Sequence, residues 1–257
     1  MSFSRREQIL DLLRKNGVVL LKELEIRFPD VSSMTLRRDL EFFEKLGEVV
    51  RIRGGARYIK NIGSHDHEDV YALRAVKNHE AKDKISRIAL KYIETGRSIF
   101  LDSGSTAMSL ARILPDLNFS ILTSAPNIAL EISKRYKPTV TLIGGLLNRA
   151  TLSVSGMQSN SFINDLNFDT ALMVASAFSP ESGFTCGNYS DSELKKSIIK
   201  KAKQVIIMVD NSKFEKSMPY TFANFEDIDV IITNQFPGDE VLSLTKKHCV
   251  KTVWQLD

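Results

Sequence analysis

The chain has 257 residues, 43% hydrophobic and 26% charged, an ordinary globular composition that excludes disorder of the whole. No apolar run approaches the roughly eighteen residues of a membrane span. The start, Met1-Ser2-Phe3-Ser4-Arg5-Arg6-Glu7, leads into no secretory apolar core, and the distant Cys186 and Cys249 make neither a disulfide framework nor a C-x-x-C metal pair, so a reducing cytoplasm is expected.

The net charge of +4 is concentrated at one end. Residues 1–60 carry 13 Lys and Arg against 9 Asp and Glu, while the rest carry 22 of each sign. A basic module is therefore joined to a neutral body, and the length suits two ordinary domains. Ser4-x-x-Glu7 has the form of a capping box, and Ile9, Leu10, Leu12 and Leu13 continue it as a helix to about Lys15, stopped by Asn16-Gly17. Val18-Val19-Leu20 is a short extended link. Leu21, Leu24 and Phe28 have helical spacing, broken by Pro29-Asp30. Ser32 can cap a third helix that reaches about Leu46 and ends at Gly47. Glu48 to Arg53 and Ala56 to Ile59 read as strands about a tight Gly54-Gly55 turn. Three short helices and a basic hairpin describe a winged helix-turn-helix.

On the third helix Leu36, Leu40, Phe43 and Gly47 form one apolar stripe, with Met34, Arg38, Glu41 and Lys45 opposite and Arg37 on the flank. A solvated face explains that pattern by itself. Together with the capped start and the basic hairpin, it reads as a recognition helix presenting Ser32, Ser33, Met34, Thr35, Arg37 and Arg38 to DNA. Arg suits bidentate contact with guanine or phosphate. Arg51, Arg53 and Arg57 on the hairpin suit backbone or minor-groove contact.

Residues 61–70 are polar and read as a linker between a DNA-binding domain at 1–60 and a larger domain at 71–257. His65, His67, Glu68 and Asp69 lack further ligands at usable spacing, so no metal is expected there. Tyr71 to Tyr92 reads as a helix. From Ser98 onward, apolar runs alternate with helical segments: 99–101, 120–123, 140–143, 171–174, 205–209 and 230–232. Near-continuous apolarity is typical of strands covered on both faces, and the alternation indicates an α/β domain with a mostly parallel sheet. Ligands in such folds bind beyond the carboxyl ends of the strands.

Five polar segments stand at those ends. Asp102-Ser103-Gly104-Ser105-Thr106 precedes a helix from about Ala107 to Leu114, the pattern of an anion site on a helix N-terminus. It is neither a Walker A loop nor G-x-G-x-x-G. The others are Thr123-Ser124-Ala125-Pro126-Asn127, Gly144-Gly145, Ser153-Val154-Ser155-Gly156 and Asp210-Asn211-Ser212-Lys213. Each alone is ordinary turn chemistry. Five on one sheet point to a shared pocket whose hydroxyls, amides and Lys213 suit a phosphorylated polyol.

Arg6-x-x-x-Ile-Leu, Val31-Ser32-Ser33-Met34-Thr35-Leu36-Arg37-Arg38-Asp39-Leu40 and Arg53-Gly54-Gly55-Ala56 resemble the DNA-binding signature of the DeoR family of bacterial sugar-metabolism repressors. The second half resembles that family's effector domain, which is similar to ribose-5-phosphate isomerase. The likeness there runs through Lys84, Ile88 and Ala89, Asp102–Thr106, Gly144-Gly145, Ser153–Gly156, Asp191–Lys195 and Asp210–Phe214. Three departures stand out: Thr123-Ser124-Ala125 for the family's T-N-S, Val174-Ala175-Ser176-Ala177-Phe178 for G-A-x-G-I, and Asp191 in place of Glu. The resemblance implies a bacterial, cytoplasmic, nucleoid-associated repressor that pairs on operator DNA as a homo-oligomer, needs no cofactor, and is released by a sugar phosphate. It places Asp102, Ser103, Gly104, Ser105, Thr106, Ser124, Asn127, Gly144, Gly156, Lys195, Asp210 and Lys213 about that effector. The alternative is a sugar-phosphate isomerase carrying a DNA-binding module, with Asp102, Asp210 and Lys213 as candidate groups.

Overall fold

The computed structural model of the protein describes residues 2–46, 48–58 and 71–255, so the linker histidines His65 and His67 lie outside the described residues. The chain groups into two compact units. One holds the elements up to Tyr58 together with Ala72–His79; the other holds Tyr71 and everything from Glu80 onward.

In the first unit α1 spans Ser2–Asn16. It begins two residues before the expected Ser4 cap, which therefore lies inside the helix. Gly17 ends it with φ 73°, donating its N–H to the Leu13 carbonyl at 2.9 Å. β1 (Val18–Leu20), α2 (Leu21–Arg27) and α3 (Ser33–Lys45) follow. Leu36, Leu40 and Phe43 of α3 are buried with Ile9, Leu10, Leu13 and Leu24, so the stripe read from sequence is the core. β2 (Val49–Ile52) and β3 (Gly55–Tyr58) form a hairpin about Arg53-Gly54. Gly54 has φ 80°, as a tight two-residue turn demands. The link Val18–Leu20 is a third strand: it pairs antiparallel with β3, giving the order β1-β3-β2. α4 spans Tyr71–Val76 and α5 His79–Leu90, so the single helix expected over 71–92 is two, parted at Asn78 with φ 51°. Asn is among the few non-glycine residues that tolerate that conformation.

After α5, the second unit runs β4 (Ser98–Leu101), α6 (Ser105–Ile113), β5 (Ser120–Thr123), α7 (Pro126–Ile132), β6 (Thr139–Leu142), β7 (Leu146–Asn148), β8 (Ser153–Ser155) and α8 (Met157–Asn164). It continues with β9 (Phe168–Val174), β10 (Ala177–Ser179), β11 (Gly183–Cys186), α9 (Tyr189–Lys201), β12 (Ala202–Met208), β13 (Tyr220–Ala223), β14 (Val230–Ile232), α10 (Asp239–Lys247) and β15 (Lys251–Val253). All six apolar runs become neighbours in one parallel sheet of order β15-β14-β12-β9-β4-β5-β6. Both faces are covered. Phe100, Ala171, Met173 and Ile207 pack on one side with Leu194 and Ile198, while Ile99, Leu101, Leu172 and Ile206 pack on the other with Ile85, Leu110 and Ile128. That double burial is the cause of the continuous apolar runs. A three-stranded antiparallel sheet (β10-β11-β13) and the β7–β8 hairpin lie outside the main sheet. Among the described residues no helix is long and apolar enough to cross a membrane.

From β4 the chain steps outward to β5 and β6, then returns to the other side of β4 as β9 and steps outward again to β12, β14 and β15. The winding direction reverses between β4 and β9, which opens a crevice at their carboxyl ends.

A Cβ on Gly55 would sit 2.2 Å from the Val19 carbonyl oxygen, so β1 could not keep its pairing with β3. Gly55→Ala should cost about 2 kcal/mol or more, measured as a lowered denaturant midpoint of the full chain. A variant as stable as the parent would show that the wing sheet gives way freely.

Candidate DNA interface and ligand site

The N-terminus of α3 divides the expected DNA-facing residues into two groups. Ser32 is its N-cap, accepting from the Thr35 N–H at 3.3 Å, with the two hydroxyls 2.9 Å apart. Ser33 donates to Glu25 on α2 at 2.6 Å. These hydroxyls fix the start of the helix. Met34, 61% exposed, and the exposed Arg37 and Arg38 are the groups that project from it. On the hairpin Arg53, in the turn, and Arg57 are exposed, whereas Arg51 is half-buried and turned toward α3. Its guanidinium lies 3.8 Å from Glu41, and its N–H donates to Glu44 at 3.4 Å. Arg51 thus braces the wing on the helix, unlike Arg53 and Arg57.

Asp39 is a residue whose role sequence reading missed. It is 1% exposed, and its two oxygens accept from Arg5 Nε and Arg6 Nε, each at 2.7 Å. The Arg6 guanidinium also lies 4.1 Å from the centre of the Phe42 ring. A buried carboxylate held by two charge-assisted bonds locks α1 against α3. Partners more than thirty positions away leave no spacing signal.

In the second unit the crevice between β4 and β9 is filled by one cluster. Asp102, 2% exposed, follows β4. Its Oδ1 accepts from the Ser103 N–H at 2.8 Å, and its Oδ2 accepts from the Val174 N–H at 2.9 Å and from Lys195 Nζ. Lys195, reaching in from α9, also donates to the Val174 carbonyl at 2.9 Å. One turn earlier on α9, Asp191 accepts from the Ser153 hydroxyl at 3.0 Å, and Ser153 in turn lies 2.7 Å from Thr151 Oγ1.

The remaining expected residues border this edge of the sheet. Gly104, with φ 113°, is the N-cap of α6, which begins at Ser105 and not at Ala107, so Ser105 and Thr106 occupy its first turn. Ser124 follows β5, and its carbonyl accepts the Val154 N–H at 2.7 Å. Asn127, on α7, has both side-chain polar atoms buried with no hydrogen-bond partner. Gly144 is exposed, with its carbonyl on the Ser159 hydroxyl at 2.7 Å, and Gly156 caps α8. Asp210, beyond the end of β12, caps the 3-10 turn Asn211–Lys213 by accepting the Ser212 N–H at 3.1 Å. Lys213 ends that turn and is partly buried. The backbone of Val174, central to the cluster, is invisible to side-chain motifs. Among the described residues no group of three or more potential metal ligands is assembled.

A DeoR C-terminal sensor domain model matches residues 77–235, and a DeoR-like helix-turn-helix domain model matches residues 5–61. The chain belongs to the DeoR family. This DeoR-family transcriptional regulator is 33% identical over 204 residues to the HTH-type transcriptional regulator GlpR of Haloferax volcanii, covering 79% of this chain and 78% of that one. It is 30% identical over 249 residues to IolR of Bacillus subtilis, covering 96% and 97%. It is 28% identical over 235 residues to the L-fucose operon activator of Escherichia coli, covering 91% and 96%. Ribose 5-phosphate isomerase A of Methanocaldococcus jannaschii matches at TM-score 0.40 and 18% identity over 54% of this chain and 55% of that one. The curated relatives are named as regulators, so the isomerase alternative is set aside.

Electrostatics distinguish the two members of α9. Burial pulls the Lys195 ammonium down, but the Asp102 carboxylate, helped by Cys186 and Asp191, outweighs it and leaves the pKa raised. Asp191 is raised by burial, against the Ser155 and Ser153 hydroxyls and the Lys195 charge. A carboxyl raised on folding contributes stability that is present below its unfolded pKa and is lost as pH rises through its folded value. Asp191→Asn in the ligand-free DeoR-family chain should therefore melt higher than the parent at neutral pH, with the gain vanishing in acid. A lower melting temperature at neutral pH would mean that the ionised carboxylate stabilises the fold.

Proposed function

We propose that this regulator represses a sugar-metabolism operon, binding a palindromic operator as a homo-oligomer and releasing it when a phosphorylated sugar enters the second unit. The observation that carries the reading is the strand end itself. Gly104, Ser105 and Thr106 present free N–H groups and hydroxyls at the start of α6, beside an ammonium held by Asp102. Backbone donors, a favourable helix dipole and a nearby cation suit a phosphate. The unpartnered amide of Asn127 and the hydroxyls of Ser124 beyond β5 and of Ser153 and Ser155 on β8 are groups that a polyol could satisfy. The names of relatives that control sugar operons, such as the L-fucose operon activator, support the same class.

On the DNA side, Arg37 and Arg38 read base edges and Arg53 and Arg57 hold phosphates. One recognition helix covers one half-site, so two chains must pair on the operator. Release follows if the ligand alters how two second units pack.

Arg37→Ala or Arg38→Ala should weaken operator binding by roughly 1–3 kcal/mol with the melting temperature unchanged, read by operator titration. Unchanged affinity in both would remove them from the interface. A thermal-shift panel of sugar phosphates tests the ligand. One that binds only the folded chain adds about 2.7 kcal/mol at 100 times its dissociation constant, and Ser105→Asp should abolish that shift while leaving operator binding intact. A shift that survives Ser105→Asp would place the phosphate elsewhere.

A further inference from the structure

The sheet edge formed by β6, with the β7–β8 hairpin and α8 beside it in the chain, combines three properties that separate it from the rest of the surface. First, its own segment is almost uncharged: from Thr139 to Asn164 the only charged residue is Arg149, in a chain where 26% of residues are charged, and the nearest charges before it along the chain are Lys134, Arg135 and Lys137. Second, it is apolar and exposed. Leu142 is 44% exposed, Leu146 78%, Leu147 46%, Met157 85% and Phe162 44%. Summed over the five side chains, the exposed apolar surface is on the order of 500 Å². Third, β6 ends the seven-stranded sheet. Thr139 and Ile143 donate to the Phe119 and Thr123 carbonyls of the β5 side, so by alternation the N–H groups of Val140 and Leu142 face away from the sheet. Natural edges are usually blunted by charge, proline or a covering element; the strand Thr139–Leu142 has no charge or proline of its own.

We infer that this face is the seam between two copies of the chain, with β6 of one protomer antiparallel to β6 of the other about a two-fold axis. A two-fold brings the same patch onto itself, so its partner must be apolar and nearly uncharged where it is apolar and nearly uncharged. A second copy satisfies that automatically. A standard interface buries roughly 800 Å² on each partner and is depleted of charge at its centre. Leu142, Leu146, Leu147 and Met157 supply about half of that area, and the intervening Thr, Gly, Gln and Ser residues complete it.

The seam is also joined to the ligand cluster by main chain. β8 carries Ser153, bonded to Asp191, and Val154, whose N–H is held by the Ser124 carbonyl. Across the hairpin, Leu147 pairs with Val154 and Leu146 with Ser155. A ligand that draws on Ser153 or Ser124 therefore shifts the strand that holds Leu146 and Leu147 in the seam. This regulation rests on the homo-oligomeric reading above; the location of the seam is independent of what the ligand is.

Light scattering after gel filtration of the full chain tests it, with Leu146→Glu and Met157→Glu on the proposed face and Phe236→Glu, 49% exposed, near the opposite edge of the sheet. The parent should be a dimer or a multiple of one. Each face variant should raise the dissociation constant at least about 100-fold, with melting of the separated monomer still cooperative, and Phe236→Glu should behave as the parent. Two face variants, both highly exposed, guard against one failing to fold. Parent-like mass in both, or dissociation by Phe236→Glu instead, overturns the seam while leaving oligomerisation intact. A monomeric parent overturns oligomerisation itself.

Discussion

Lys195 ties together the ends of the two strands between which the sheet reverses its winding. Its ammonium bonds Asp102 beyond β4 and the Val174 carbonyl that ends β9, and Asp102 bonds the Val174 N–H in return. The reversal leaves those ends without a covering helix, because the connections leave β4 and β9 on opposite sides. Such a crevice would hydrate or collapse unless polar groups fill it. A buried ion pair bonded to the main chain at both strand ends fills it and keeps it ordered. The rest of the site is arranged around that pair: α6 begins at its Gly104, and α9 brings Asp191 one turn from Lys195 to meet β8.

The first unit is held by a comparable device with a different consequence. Asp39 ends the Arg37-Arg38-Asp39 run, yet it faces inward and clamps Arg5 and Arg6, while Arg37 and Arg38 face out. The helical turn of 100° per residue separates the three. A run of charges that looks uniform in sequence therefore divides into an internal lock and an external pair of cations. The wing shows the same division, Arg51 paired back to Glu41 and Arg53 and Arg57 left to solvent.

In the second unit the hairpin β7–β8 links chemistry to surface. Its inner strand is buried and hydroxyl-rich, and its outer strand is exposed and apolar. Antiparallel pairing fixes the register between them, so the two strands are joined by backbone hydrogen bonds and not by a chain of side-chain contacts.

Local signals determined much of this by themselves. The α3 stripe of Leu36, Leu40 and Phe43, the stop at Gly17, the hairpin turn at Gly54 and the six apolar runs from Ile99 to Ile232 each follow from rules that act within a few residues: helical period, glycine at positive φ, and apolarity on both faces of a strand; the strand pairing moved that turn one residue, from Gly54-Gly55 to Arg53-Gly54. The ordered motifs about Arg37-Arg38 and Asp102–Thr106 carried the family likeness. What needed the tertiary structure were the relations between distant segments. β1 as a strand depends on β3, and β15 on β14, because a three-residue strand exists only in its pairing. The break at Asn78 hides in a segment whose residues all permit helix. The Asp39 clamp, the Asp102–Lys195 pair and the Val174 backbone join positions 33 to 93 residues apart, and no periodicity records a contact whose only cause is how the chain returns upon itself.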